Sequence, residues 1–231
     1  MEKEIEDFLK ENSDLKYLEF SKNLNIGHNK KFLGVRIPIL RKYAKSLSKK
    51  YSLPELMDNI REDYYEEVML KGFIIGNYKL PCQEIEKYIS MHLPKINDWS
   101  LCDTFVCGLK IVKDNLDYFW KLINKKLKSK KEYEVRFSLV MLLNYYINDT
   151  YKENIFNIIK NVSLDKYYVK MANAWLISYM FIKYFDDTYE FIMENNFDNW
   201  TKRKGITKAI ESHEINNNQK EKLRKLREEI K

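Results

Sequence analysis

The chain has 231 residues, of which 45% are hydrophobic and 32% charged, with a formal net charge of +7. Only 6 Gly and 4 Pro occur, about a third of the share that these breakers hold in an average protein. No Asn-Gly or Asp-Gly dipeptide, G-x-G-x-x-G or G-x-x-x-x-G-K-[ST] is present, which excludes tight hairpins, dinucleotide folds and P-loops and points to an all-α chain.

Helical periodicity recurs from one end to the other. Ile5, Phe8 and Leu9 mark a first short helix and residues 15–24 a second. Ile37, Leu40, Ala44 and Leu47 form an apolar stripe, with Pro38 at a helix start where its missing N–H costs nothing. Pro54 opens a short helix to about residue 59, and a longer one is predicted over 62–78. Further helices are predicted over 82–92, 97–113, 116–129, 132–148, 152–161, 165–184, 188–195, 200–212 and 217–229. Such short helices with short connections predict an α-solenoid, a single domain over residues 1–231. At roughly 40 residues per repeat it holds five to six HEAT-like antiparallel helix pairs, with a concave basic face for binding. A compact orthogonal bundle is the alternative arrangement.

Cys82, Cys102 and Cys107 make an odd number without a C-x-x-C, so no disulfide framework is implied, and free thiols suit a reducing compartment. Cys102 and Cys107 are expected to pack as small apolar residues. The start of the chain is acidic and helical, unlike a signal peptide. The most apolar stretch, residues 171–182, contains Asn173 and Ser178 and is too short to span a bilayer. A soluble, cytoplasmic protein without membrane contact is expected. His28, His92 and His213 are scattered and expected at the surface, so no metal or other cofactor is implied.

Charge is segregated. Residues 25–50 hold eight basic residues and no acid, residues 121–131 six Lys and no acid, and residues 201–208 four more cations. The three windows carry +18, leaving −11 on the rest of the chain. A polyanion-binding face needs this separation, although solvated helix backs also produce Lys-rich windows. The candidate DNA contacts are Lys30, Lys31, Arg36, Arg41, Lys42, Lys202, Arg203, Lys204 and Lys208.

Four side chains stand out for chemistry. Trp99 and Asp103 are i and i+4 on one helix face, and Asp98 is better placed than Asp103 to cap that helix. Arg136 sits among Val135, Phe137, Leu139 and Val140, where it must snorkel, pair or meet an anion. Trp175 follows the small residues Ala172 and Ala174, which let helices approach closely.

In this order the set resembles the AlkD-like DNA alkylation repair glycosylases, a family of HEAT-like repeat enzymes that excise cationic N3- and N7-alkylated purines. The stretch Phe32-Leu-Gly-Val-Arg-Ile-Pro-Ile-Leu-Arg-Lys42 is similar to the family's N-terminal Leu-Gly-[Val/Ile]-x-x-Pro-x-x-Arg. Residues 204–212 are similar to its basic C-terminal helix. The resemblance implies a site of Trp99, Asp103, Arg136 and Trp175. Ser100 stands where members carry an acid after the Trp, and Val135 where some place a second Arg.

The implied chemistry is coherent. An alkylated purine leaves as a neutral base without a strong general acid. Asp103 would stabilise the oxocarbenium-like sugar and orient water. The two Trp faces would hold the sugar, and Arg136 a phosphate. The expected partner is duplex DNA containing alkylated purines, met by a monomer and a monofunctional hydrolase. The alternatives are a HEAT-like nucleic-acid-binding protein with little or no excision activity, and a protein-interaction scaffold.

Overall fold

The computed structural model describes residues 1–24 and 30–230, whose regular structure is helical, with turns, irregular connections and two isolated bridge pairs between the helices. His28 lies outside the described residues. The α-helices are α1 Glu2–Glu11, α2 Leu15–Leu24, α3 Ile37–Lys50, α4 Leu53–Asn59, α5 Tyr65–Asn77, α6 Cys82–His92 and α7 Trp99–Gly108. They continue as α8 Leu116–Leu127, α9 Glu132–Tyr145, α10 Lys152–Asn161, α11 Tyr167–Lys183, α12 Phe185–Glu194, α13 Asn199–Glu211 and α14 Asn217–Glu229. The single helix predicted over 97–113 is broken at Leu109, and a 3-10 turn over Lys110–Asp114 follows α7. The helix predicted over 62–78 starts at Tyr65, because the Asp63 and Tyr64 N–H groups are held by Glu67 instead of by a preceding turn. No helix among the described residues is long and apolar enough to cross a membrane.

The chain divides into two compact units, Met1–Asn115 and Leu116–Lys231. In the first, α3, α5 and α7 pack side by side; in the second, α9, α11 and α13 do the same. Each row is parallel, since leading ends meet leading ends: Tyr168 at the start of α11 bonds Glu132 at the start of α9. At the trailing end the Lys183 ammonium donates to the Ile147 carbonyl. Parallel neighbours require the chain to cross back between them, and α4, α6, α10 and α12 are those returns. The two classes differ in composition for that reason. Every residue from Val135 to Leu143 in α9 is buried, as are nine residues of α11. The return helix α10 buries only Ile155, Phe156 and Ile159, one stripe of an amphipathic helix.

Hydrogen bonds between successive repeats report the period. Tyr65 Oη donates to Asp98, 33 residues on, and Tyr151 Oη to Asp117, 34 residues back. Tyr184 Oη donates to Asp149 at a separation of 35 residues. The repeat is thus shorter than the predicted 40 or so residues, because the return helices run to only two or three turns.

Close approach within the second row depends on Gly205 of α13. A Cβ there would lie 2.7 Å from Ile177 Cγ2 and 3.1 Å from the Ala174 carbonyl oxygen of α11. Gly205→Ala is expected to lower stability by about 1–3 kcal/mol through overpacking, read as a lower denaturation midpoint at unchanged slope.

Two sequence expectations need correction. Cys102 is buried as expected but Cys107 is exposed, since it lies on the opposite side of α7 from Cys102, Phe105 and Val106. His92, expected at the surface, is buried; it continues the inward stripe of Ile85 and Ile89 on α6 and stands edge-to-face on Phe105 at 4.7 Å. Burial lowers its pKa to about 4. An unfolded histidine titrates near 6.5, so between these values the unfolded chain binds more protons and acid weakens the fold. Stability contributed by neutral His92 is complete above pH 6.5 and falls by about 3 kcal/mol as pH drops to 4. Urea unfolding of the wild type and His92→Leu across this range is expected to show that component in the wild type alone. His213 is exposed as expected.

Candidate functional site

In the first unit the site is built on α7. Asp98 is its N-cap, accepting from the Leu101 N–H at 2.8 Å, as the sequence predicts. Asp98 is itself buried and receives the Tyr65 hydroxyl at 3.0 Å. Ser100 is a second hydrogen-bonding neighbour of that hydroxyl. Burial, with the Asp98 charge added, raises the Tyr65 pKa so strongly that the phenol stays protonated and donates. Phe32 stacks on the Tyr65 ring at 4.2 Å. This fixes the first turn of α7, from which Trp99 and Asp103 project, both half-buried.

Arg41 comes from α3 to the same neighbourhood. Its Nη2 lies 3.4 Å from the Thr104 carbonyl oxygen, and its guanidinium sits 4.2 Å over the Phe73 ring. The Cys107 thiol reports the field there: although the residue is exposed, partial desolvation of its sulfur and the negative charge of Asp103 raise its pKa, and Arg41 opposes them. Arg41 and Asp103 are therefore close enough to act on one sulfur.

Glu66, a residue that amphipathic reasoning passes over, supports this unit from beneath. It is buried, and one of its oxygens accepts from the Gly34 N–H at 2.7 Å, with the Leu33 and Val35 N–H groups at 3.1 and 3.3 Å. Burial raises its pKa and those donors counter the rise. Gly34 adopts φ +83°, and a Cβ there would lie 2.6 Å from the Asp14 carbonyl oxygen, which explains the Leu-Gly-Val of the N-terminal stretch: only glycine turns three N–H groups onto one carboxylate.

In the second unit Arg136 is buried on α9, its Nη1 donating to the Tyr168 carbonyl oxygen at 2.8 Å and its guanidinium 5.9 Å from the Tyr168 ring centroid. Trp175, half-buried on α11, lines a cavity of about 340 Å³ with Ser178, Tyr179, Ile182 and Lys208. The Lys208 pKa is lowered by burial and by the positive charges of Lys204 and Arg136, with Glu211 opposing. Lys208 thus connects Arg136 to the Trp175 cavity, whose opposite charge comes from Glu211 and Glu214 in the same lining.

The other basic candidates separate into two groups. Arg41, Lys42 and Lys31 are exposed, and Lys204 and Lys208 half-exposed. Lys202 is buried, its ammonium donating to the Asn195 carbonyl oxygen at 2.5 Å and lying 4.8 Å over Phe197. Arg203 closes α14 by donating to the Arg227 and Ile230 carbonyl oxygens at 2.8 and 2.5 Å. Arg36 is exposed but paired with Asp14 at 2.7 Å, and the Lys30 ammonium donates to the Glu62 carbonyl oxygen.

The family model for DNA alkylation repair enzymes matches residues 3–209. The chain belongs to the DNA alkylation repair enzyme family. The match spans α1 to most of α13, so every singled-out residue of α7, α9 and α11 lies inside it. No curated protein matches the chain. Membership gives a DNA alkylation repair enzyme a DNA substrate, to which the segregated charge is suited. Sequence patterning singles out Trp99, Asp103, Arg136 and Trp175, with Asp98 as a cap, but it misses Tyr65 and Glu66. The one signal for Tyr65 is the predicted cap at Asp98, which needs a buried donor; Glu66 has none, because an acid beside Glu67 at a helix start reads as exposed.

Removing these supports has a distinct cost. Glu66→Ala leaves buried N–H groups without an acceptor and is expected to destabilise by about 3 kcal/mol. Asp98→Ala removes both a cap and the Tyr65 acceptor and is expected to cost about 2 kcal/mol. Equilibrium unfolding in urea measures both.

Proposed function

We propose that this repair enzyme is a monofunctional DNA glycosylase that hydrolyses the N-glycosidic bond of cationic N3- and N7-alkylated purines in duplex DNA. The observation that carries the reading is the half-buried Trp99–Asp103 pair on a helix whose first turn is fixed by Asp98 and Tyr65. Alkylation leaves the purine positively charged, so the C1′–N bond breaks with its electron pair going to the base, which departs neutral. Positive charge then develops on the deoxyribose. A carboxylate partly withdrawn from water stabilises that charge more than a solvated one. Asp103 has this role, and it also orients the water that adds to C1′ and loses a proton.

Trp99 offers an indole face to the cationic sugar, an attraction that grows as water is excluded, and Trp175 of the second unit is proposed for the same role. Lys204 and Lys208 give a phosphate charge-assisted contacts, and Arg136, buried against the Tyr168 carbonyl, adds its positive charge from behind them instead of the direct contact expected from the sequence. Such contacts position the duplex without reading its sequence.

Asp103→Asn is expected to lower release of methylated purine from alkylated duplex DNA by about 100-fold or more while leaving duplex affinity nearly unchanged. Equal release by the wild type and the variant would overturn the catalytic assignment. Lys204→Ala and Lys208→Ala are each expected to reduce the slope of log affinity against log salt by about 1. Lys202→Ala, at an inward-facing ammonium, is expected to leave that slope unchanged.

A further inference from the structure

Four aromatic rings run in contact across the leading ends of α9, α11 and α13. Tyr133 lies 5.8 Å from Tyr168, Tyr168 5.1 Å from Tyr167, and Tyr167 6.0 Å from Trp200, centroid to centroid. The last two rings are open to solvent, with Tyr167 59% and Trp200 40% exposed. Single exposed apolar side chains are ordinary, but a connected row of rings on a surface marks a binding site.

Cations flank the row. The Arg136 guanidinium is 5.9 Å from the Tyr168 centroid, and the Lys170 ammonium 5.2 Å from that of Trp200. Lys130 and Lys166 are exposed in the turns that lead into α9 and α11. The acids at this edge have partners within the fold. Glu132 accepts the Tyr168 N–H at 2.8 Å, and Asp198 caps α13 while pairing with Lys170 at 3.1 Å. Asp165 lies 3.4 Å from the same ammonium. Along α13, Lys204 and Lys208 stand one and two turns from Trp200 on the same side, so the rings continue into the cationic surface of this unit.

We propose that this row is a stacking platform for unpaired bases, through which the protein binds single-stranded DNA. Bases within a duplex stack on each other and present only their edges. An aromatic face gains a partner only from a base that has left the stack, and every base has such a face. The flanking lysines meet the phosphates between successive bases. A saccharide would use the same rings but carries no charge to complement Lys130 and Lys166. The inference rests on the reading that the protein binds DNA, and it is tested through binding alone.

The experiment compares fluorescence anisotropy of a labelled thymine homopolymer and a labelled unmodified duplex, titrated with the full-length protein. In Tyr167→Ala/Trp200→Ala, affinity for the single strand is expected to fall on the order of tenfold or more, with duplex affinity and the circular dichroism spectrum unchanged. Tyr167→Phe/Trp200→Phe, which keeps two rings, is expected to restore single-strand affinity to within about threefold of wild type. Single-strand binding that is indifferent to the alanine variant, or an equal loss for both ligands, would overturn the platform. A wild type that binds duplex but no single strand would overturn it while leaving the proposed repair activity standing. Failure to bind either ligand at low salt would overturn both.

Discussion

Carboxylates at the leading ends of the row helices tie each repeat to its neighbour, and the rest of the structure depends on those ties. Glu66 at the start of α5 gathers the N–H groups just before α3, and Asp98 at the start of α7 holds a hydroxyl from the start of α5. Glu132 at the start of α9 holds the N–H of Tyr168, and Asp198 at the start of α13 holds Lys170, both from the first turn of α11. An acid at a helix N-terminus is favoured by unsatisfied N–H groups and the aligned peptide dipoles. Here the same acid also accepts from the adjacent repeat, so one charge serves a helix start and a repeat junction together. Buried charges of this kind are tolerable only when several donors converge on them, as three N–H groups do on Glu66.

The parts of the fold legible in the sequence are those that announce themselves locally. Pro54 predicts α4, and the structure adds a Ser52/Glu55 capping box with both halves present. Asp98 was assignable as a cap because it precedes an apolar run. His92 shows the limit: periodicity places it on the inward stripe of α6, yet residue type alone argues for solvent, and periodicity prevails. Glu66 and Tyr65 are decided by residues 31–34 positions away in the chain, where no local pattern reaches.

Charge shows the same division. Counting basic residues identifies windows, while packing decides what each cation can meet. Within residues 201–208, Lys202 points inward and Arg203, though exposed, closes α14, which leaves the half-exposed Lys204 and Lys208 to face an anion. Trp175 is likewise legible as an aromatic among small residues, but its position on a cavity beside Lys208 follows from the close approach of α11 and α13 at Gly205. The aromatic row at the leading ends is invisible in sequence because its members come from three separate helices.

The 33- to 35-residue spacing of the Tyr-to-Asp bonds has a consequence for how such a chain tolerates change. Each bond is made with the adjoining repeat, so no distant register has to be kept. A residue gained or lost in a turn is absorbed where it occurs, since the next carboxylate re-establishes its own alignment. The same change inside α5 or α11 rotates everything beyond it by about 100° about the helix axis, turning an inward face outward. Length variation is therefore permitted at the turns and forbidden within the rows, and the side chains proposed for chemistry all project from the rows.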